Sequence, residues 1–305
     1  MSKRRRETPR RKRRAFSKKQ LATFSVIFAA AIVVVSTILL FQQQPNNDHF
    51  SLKAAIVDQL SGEFPNPTFV DNITAVLTEY GFSVSYYNKP DVEFFKGLAR
   101  NNYGIIVLRV HSALRTDKST VDFFTSEPFN TQDHVQERDE GLVVKGILDY
   151  SGTVKEYFAI TPGFVGKLEG KFPKSIVVAM GCWSLKDGLE QMANAFTGKG
   201  AKAYVGWSGL VEPSNVSNET AKLIRRLLVE DKTLEKAANE TPHDPEFIYS
   251  SLGYYPESAG SLRLSDLIDE AKDSGTSLNP AISNYCWNLA LTVVYSSHKK
   301  LKDFK

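Results

Sequence analysis

His111 and Cys182 stand at the ends of two apolar runs, residues 104–110 and 175–181, 71 positions apart in the chain. An imidazole can take up and return a proton near neutral pH, and a thiol becomes a strong nucleophile once its proton has left. Together they could carry covalent catalysis, in which sulfur attacks a carbonyl carbon, an acyl-thioester forms, and the departing amine takes a proton back from the imidazole. Each also has an ordinary structural reading, the cysteine as a small buried hydrophobe and the histidine as a satisfied polar residue. Their joint placement behind two similar runs favours the chemical reading.

Short continuous runs rich in Val and Ile read as strands covered on both faces of a parallel sheet. In such sheets reacting groups collect just beyond the carboxyl ends of the strands, so residues far apart in sequence can meet there. The pattern around His111 is β-α-β-α-β: a strand over 53–58, a helix over 66–80, a strand over 82–87, a helix over 91–100, then the strand entering His111. In the first helix Phe69, Val70, Ile73, Val76, Leu77 and Tyr80 recur at helical spacing, and Gly81 supplies the stop. Residues 112–149 break this rhythm and read as an insertion or hairpin excursion. Thr161 and Pro162 then open a short helix to about residue 168 that feeds the Cys182 strand. A helix over 187–196, a strand over 201–207 and an amphipathic helix over 218–230 follow. Residues 231–239 continue helically, the prolines and glycines after 242 make the chain irregular, and 289–295 has a strand-like core. The expected class is α/β, a mostly parallel sheet with helices on both faces. A helix beginning near 184–187 would put its N-terminus close to Cys182 and favour the thiolate. The backbone N–H groups of Gly181, Cys182 and Ser112 are the candidate oxyanion donors.

The net charge of +4 conceals an asymmetry, because residues 1–19 carry 11 Lys/Arg and one Glu and leave 27 basic against 33 acidic residues elsewhere. Residues 21–41 hold no charge and match the ~20 apolar residues a helix needs to cross a bilayer. The run is longer than a signal-peptide core and ends in bulky Leu39, Leu40 and Phe41, so an uncleaved anchor is expected rather than a leader. The chain divides accordingly into a basic cytoplasmic tail (1–20), a transmembrane helix (21–41), a polar linker (42–51), an α/β domain (52–240) and a C-terminal extension of that domain (241–305). The basic flank places the N-terminus in the cytoplasm and the rest outside the cell membrane. A tail in this position orients the protein and meets anionic lipid, so a nucleic-acid partner is not expected. Acceptor sequons at Asn72, Asn215, Asn218 and Asn239 are compatible with an exported body.

Several other chemistries are disfavoured. The first strand is followed by Gln-Leu-Ser-Gly, not by a phosphate-binding glycine loop, and two cysteines with five histidines show no zinc-ligand spacing, so no cofactor and no metal are expected. His134 lies in a charged stretch and reads as solvated surface. Arg109, on the strand leading to His111, needs a partner if buried; it pairs structurally with an acid or else meets an acidic substrate side chain. Cys182 and Cys286 are the only cysteines, and an exterior compartment permits a bridge between them, which would make the body a disulfide-stabilised structural domain.

The words around the two strand ends, His111 after 105–110 and Cys182 after 176–181, resemble those of the caspase-like superfamily of cysteine peptidases, which includes caspases, legumains, gingipains and clostripain. In that superfamily the catalytic histidine follows one apolar strand and the catalytic cysteine the next core strand. Residues 192–207 are similar to the helix, glycine turn and strand beyond the family's cysteine, and the resemblance covers 53 to about 230. It implies that the chain cleaves peptide bonds with His111 and Cys182 as a dyad, acting on a peptide or protein substrate. It further implies a substrate rim after the strand that follows, at Trp207, Ser208 and Gly209. One departure is that the family's His-Gly is His111-Ser112 here, which alters the backbone at one oxyanion donor. A catalytically silent relative that binds a peptide or partner in the same crevice is the alternative.

Overall fold

The computed structural model describes residues 49–276, Ser151 excepted. The basic tail, the expected membrane helix over 21–41, the strand-like run 289–295 and Cys286 lie outside the described residues. Among the described residues no helix is long and apolar enough to cross a membrane.

Six strands form one sheet: β1 (Lys53–Asp58), β2 (Ser83–Tyr87), β3 (Ile105–Arg109), β8 (Ile176–Ala179), β9 (Ala203–Trp207) and β10 (Leu252–Tyr255), in the spatial order β10-β9-β8-β3-β1-β2. The first five are parallel and β10 runs antiparallel along β9. The helices are α1 (Pro67–Glu79), α2 (Val92–Gly97), α3 (Val135–Asp139), α4 (Pro162–Lys167), α5 (Gln191–Gly198), α6 (Pro213–Leu228), α7 (Leu234–Asn239) and α8 (Leu264–Thr276).

Every residue of β3, β8 and β9 is buried, because helices cover both faces of the sheet and both alternating sets of side chains need apolar neighbours. One set, including Ile56, Val107, Val178, Val205 and Trp207, packs with apolar residues of α1, α6, α7 and α8. The other, including Val57, Leu108, Val177, Ala179 and Tyr204, packs with α2, α4, α5 and part of a second sheet. Caps fix several of the intervening helices. Asn66 accepts from the Phe69 N–H at 3.1 Å, Asp91 from Phe94 at 2.7 Å and Thr161 from Phe164 at 3.3 Å, each relieving an otherwise unpaired donor at a helix start.

The excursion after His111 is larger than a hairpin. It is a four-stranded antiparallel sheet, β4 (Ser112–Leu114), β5 (Val121–Pro128), β7 (Thr153–Ile160) and β6 (Val143–Tyr150), and β7 lies past the expected end of the excursion. Three other expectations are corrected. The helix after Cys182 starts at Gln191 rather than near 184–187, because residues 183–189 form successive turns, so no helix N-terminus adjoins the thiol. The 218–230 helix begins at Pro213, capped by Glu212, and the chain breaks at left-handed Asp231 (φ 47°) before α7. The stretch expected to be irregular after residue 242 contributes both the antiparallel edge strand β10 and α8, whose Leu264, Leu267 and Ile268 enter the core.

Candidate active site

β3 and β8 are immediate neighbours, with Leu108 opposite Ala179 and the Met180 N–H donating to the Leu108 carbonyl at 2.9 Å. Neighbouring strands lie roughly 4.8 Å apart, so the segments leaving them, 110–111 and 180–182, emerge side by side. His111 and Cys182 line the same cavity of about 350 Å³, together with Leu60, Phe64, Val110, Met180, Val211 and Phe247.

His111 is held firmly. Its backbone N–H donates to Gln59 Oε1 at 2.8 Å, its ring meets Phe64 and Phe124 edge-on, and its Nε2 lies 3.0 Å from Glu63 Oε2. Lys155 Nζ (2.8 Å) and the Tyr157 hydroxyl (2.9 Å) both donate to the other oxygen of Glu63. Burial alone would raise the Glu63 pKa, but the Lys155, Tyr157 and His111 contacts outweigh it and hold the carboxyl below its ordinary value. An ionised carboxylate can only accept, so Nε2 carries the proton and the free lone pair of a neutral His111 sits on Nδ1. Burial lowers the His111 pKa, with Glu63 opposing, and the imidazole is neutral around pH 7.

Cys182 has a contrasting environment. It is half-buried, in no disulfide among the described residues, and packs against apolar residues; its Sγ has a weak contact to the Val211 carbonyl at 3.9 Å. Burial, and to a smaller extent the charge of Asp244, push the thiol up from its ordinary value. Among the described residues no hydrogen bond links Cys182 to His111. Both shifts oppose a thiolate–imidazolium pair and favour neutral partners.

The turn after β8 is tightly specified. Ser112 Oγ donates to the Cys182 carbonyl at 2.5 Å, the Trp183 N–H to the Gly209 carbonyl at 2.7 Å, and Trp183 lies at φ 53°. A Cβ on Gly181 would stand 2.1 Å from Ser112 Oγ and 2.7 Å from the Val110 carbonyl oxygen, so only glycine fits between the two strand ends. The Phe124 N–H of β5 donates to the His111 carbonyl, and Ser112 at the start of β4 faces Phe123 in the next, non-hydrogen-bonded position. Antiparallel alternation therefore turns the Ser112 N–H away from β5. Among the described residues the Gly181 and Cys182 N–H groups donate to no backbone carbonyl.

The three rim residues take other roles. Trp207 is 1% exposed and belongs to the core, since Ala203, Val205 and Trp207 share one face of β9. Ser208 and Gly209 are engaged by Ser250 and Ser251, the Ser208 N–H donating to the Ser251 carbonyl and the Gly209 N–H to Ser250 Oγ. None of the three lines the cavity; its wall on that side is Val211, Glu212 and Pro213. Arg109, 1% exposed, has the structural role: Nη1 donates to Asp58 Oδ1 at 2.7 Å, Nη2 to the Phe64 carbonyl at 2.5 Å and Nε to Ser217 Oγ at 3.3 Å. His134 is packed rather than solvated, edge-on to Phe158 with Nε2 2.9 Å from Glu127. Among the described residues no cluster of ligands could hold a metal ion.

Glu63, Lys155 and Tyr157 were not expected at the site. Glu63 follows β1 by five residues, and a charged residue just past a third strand end was a nominee by the same rule that selected His111. Lys155 and Tyr157 alternate on β7 and so share a face, which only the pairing of the second sheet brings to Glu63. The chain matches no protein-family model and no curated protein sequence.

Proposed function

We propose that this chain is a membrane-anchored cysteine peptidase of the caspase-like type, its catalytic domain outside the cell and residues 21–41 its anchor. The observation that carries the reading is the meeting of His111 and Cys182 at adjacent parallel strand ends on one cavity, with Glu63 fixing the imidazole so that Nδ1 is its basic nitrogen. In the proposed reaction the Cys182 proton passes to His111 as sulfur attacks the peptide carbonyl carbon. The Glu63 carboxylate stabilises the imidazolium as it forms. Backbone N–H groups of Cys182 and Ser112 receive the developing oxyanion. When the C–N bond breaks, the amine leaves with the proton from His111. Water then hydrolyses the acyl-thioester with His111 again as base, restoring the thiol.

A catalytically silent peptide-binding domain is favoured by one observation, the raised Cys182 thiol with its weak contact to a carbonyl. The purified protein, treated with a thiol-directed acyloxymethyl-ketone peptide library, separates the two. Peptide-dependent labelling that disappears in Cys182→Ala, together with cleavage of a fluorogenic peptide library, is expected of the peptidase. Labelling that persists in Cys182→Ala, or the absence of all cleavage, would count against it. Intact mass with and without reductant tests the structural alternative, since a bridge from Cys182 to Cys286 adds two mass units on reduction.

A further inference from the structure

We infer that the cavity beside Cys182 selects an uncharged, apolar substrate side chain and rejects a carboxylate; the inference rests on the peptidase reading for its position in the substrate. Leu60, Phe64, Val110, Met180, Val216 and Phe247 supply its apolar wall, and among the described residues no Lys or Arg lines it. Its volume of about 350 Å³ falls in the range of roughly 300–1,000 Å³ typical of small-ligand pockets. A substrate carboxylate would lose its hydration there without gaining a cation.

The charged groups that line the cavity are the acids Glu212 and Glu246, and the nearby cations Arg109 and Lys155 are held by Asp58 and Glu63. Glu212 lines the cavity, but one of its carboxylate oxygens already receives the Asn215 N–H (2.6 Å) and the Ser214 hydroxyl (2.5 Å) as the cap of α6, where the helix dipole offsets its charge. Asp244 lies behind it, fully buried and saturated: Oδ1 accepts the N–H groups of Glu246 and Phe247, and Oδ2 accepts the Glu212 N–H and Asn215 Nδ2. These bonds shape the wall that carries Val211 and Phe247 and leave Asp244 little capacity for a ligand. Glu246 is exposed at the mouth. A long basic side chain could lay its methylenes along the apolar wall and reach Glu246, but an exposed carboxylate adds little to its binding. Acidic side chains meet repulsion and desolvation together, basic ones find no buried counter-charge free to bind them, and aliphatic or aromatic ones fill the space.

The test uses blocked peptides that differ only in the residue before the scissile bond: Leu, Phe, Ala, Lys, Arg or Asp. Each is measured for cleavage by the wild-type protein and for binding to Cys182→Ala by calorimetry, with the melting transition of the variant as folding control. Leu and Phe are expected to exceed Ala by about tenfold, and Asp by more, in both measurements. Glu246→Lys is expected to raise the Asp-to-Leu ratio about three- to fivefold, the size of an exposed charge effect. Cleavage after Lys, Arg or Asp in preference to Leu and Phe would overturn the inference and leave the peptidase reading intact. Selective binding of Leu and Phe peptides by Cys182→Ala with no cleavage by the wild type would do the reverse. Binding that is indifferent to the side chain would overturn the inference.

Discussion

The two strand ends that meet at the cavity are built from opposite materials. Below His111, Arg109 of β3 pairs with the buried Asp58 of β1, the segment after β1 adds the Gln59 and Glu63 contacts, and β7 adds those of Lys155 and Tyr157. Below Cys182, β8 is wholly apolar, and the thiol is placed by backbone: a glycine contact, a serine-to-carbonyl bond and a left-handed Trp183. On the peptidase reading, the base is thus oriented by charge and the nucleophile by shape. Reactivity in such a pair has to come from the base, because nothing around the sulfur stabilises a negative charge strongly.

Arg109 offers the most severe way to break the polar end. In Arg109→Met the Asp58 carboxylate keeps only the Tyr86 hydroxyl as a side-chain donor, and the Phe64 carbonyl loses its guanidinium. Removing one member of a buried pair costs about 3–5 kcal/mol, which a urea unfolding curve would register. Because Phe64 adjoins Glu63, activity should fall as well. A loss below about 1 kcal/mol, the range of an exposed pair, would mean that this base of the site is not what holds it.

Glu63→Gln is milder. The amide keeps the shape but neither fixes the tautomer nor balances the imidazolium, so kcat should drop about 10- to 100-fold with little change in KM, as for other groups that orient a functional histidine. Since Glu63 raises the His111 pKa, the variant's acid limb should also move to lower pH. Lys155→Ala, removing a half-exposed contact to Glu63, should cost much less. A Glu63→Gln protein with unaltered rate and pH profile would leave the carboxylate a structural role only.

At the apolar end, Gly181→Ala should destabilise by about 1–3 kcal/mol through overpacking and reduce activity by displacing Cys182. Adding Ser112→Ala removes the hydroxyl clash but leaves the residue 112 Cβ at 3.0 Å and the Val110 carbonyl at 2.7 Å, so the double variant should recover only in part. Full recovery would show that the serine side chain, and not the backbone, sets this spacing.

The same division explains how much of the fold is legible in the sequence. The strand 53–58, the helices expected from about 66 and 91, and the helix opened by Thr161 and Pro162 rest on local signals, apolar runs and an N-cap residue before a proline, and all appear in the fold. His111 and Cys182 were legible because both follow buried strands. The second sheet was not, since Lys145 pairs with Phe158 and Asp149 with Val154, which is register information that only tertiary contact supplies. Glu63 falls under the strand-end rule that selects His111, but its contacts are with residues 48 to 94 positions away, which no local signal ties to it. Trp207 was a different kind of error, because its alternation with Ala203 and Val205 already marked it as inward-facing. The helix after Cys182 was placed too early where Lys186, Asp187 and Gly188 make turns instead.

The finest test of the contrast is the thiol itself. Iodoacetamide reacts with the thiolate, so its rate against pH reports the Cys182 pKa directly. Burial raises that pKa, and the neutral His111 contributes no cation to oppose it, so the alkylation midpoint should lie above that of an ordinary cysteine at about 8.5. In an ion-paired dyad, replacing the histidine raises the thiol pKa by units and abolishes a plateau of reactivity near pH 5–6. Here His111→Ala should leave the alkylation midpoint within about half a unit of the wild type while removing peptide cleavage, because the imidazole acts on the proton during attack and not on the resting sulfur. A low-pH plateau that vanishes in His111→Ala would reverse the assignment and make charge, not shape, the feature that prepares Cys182.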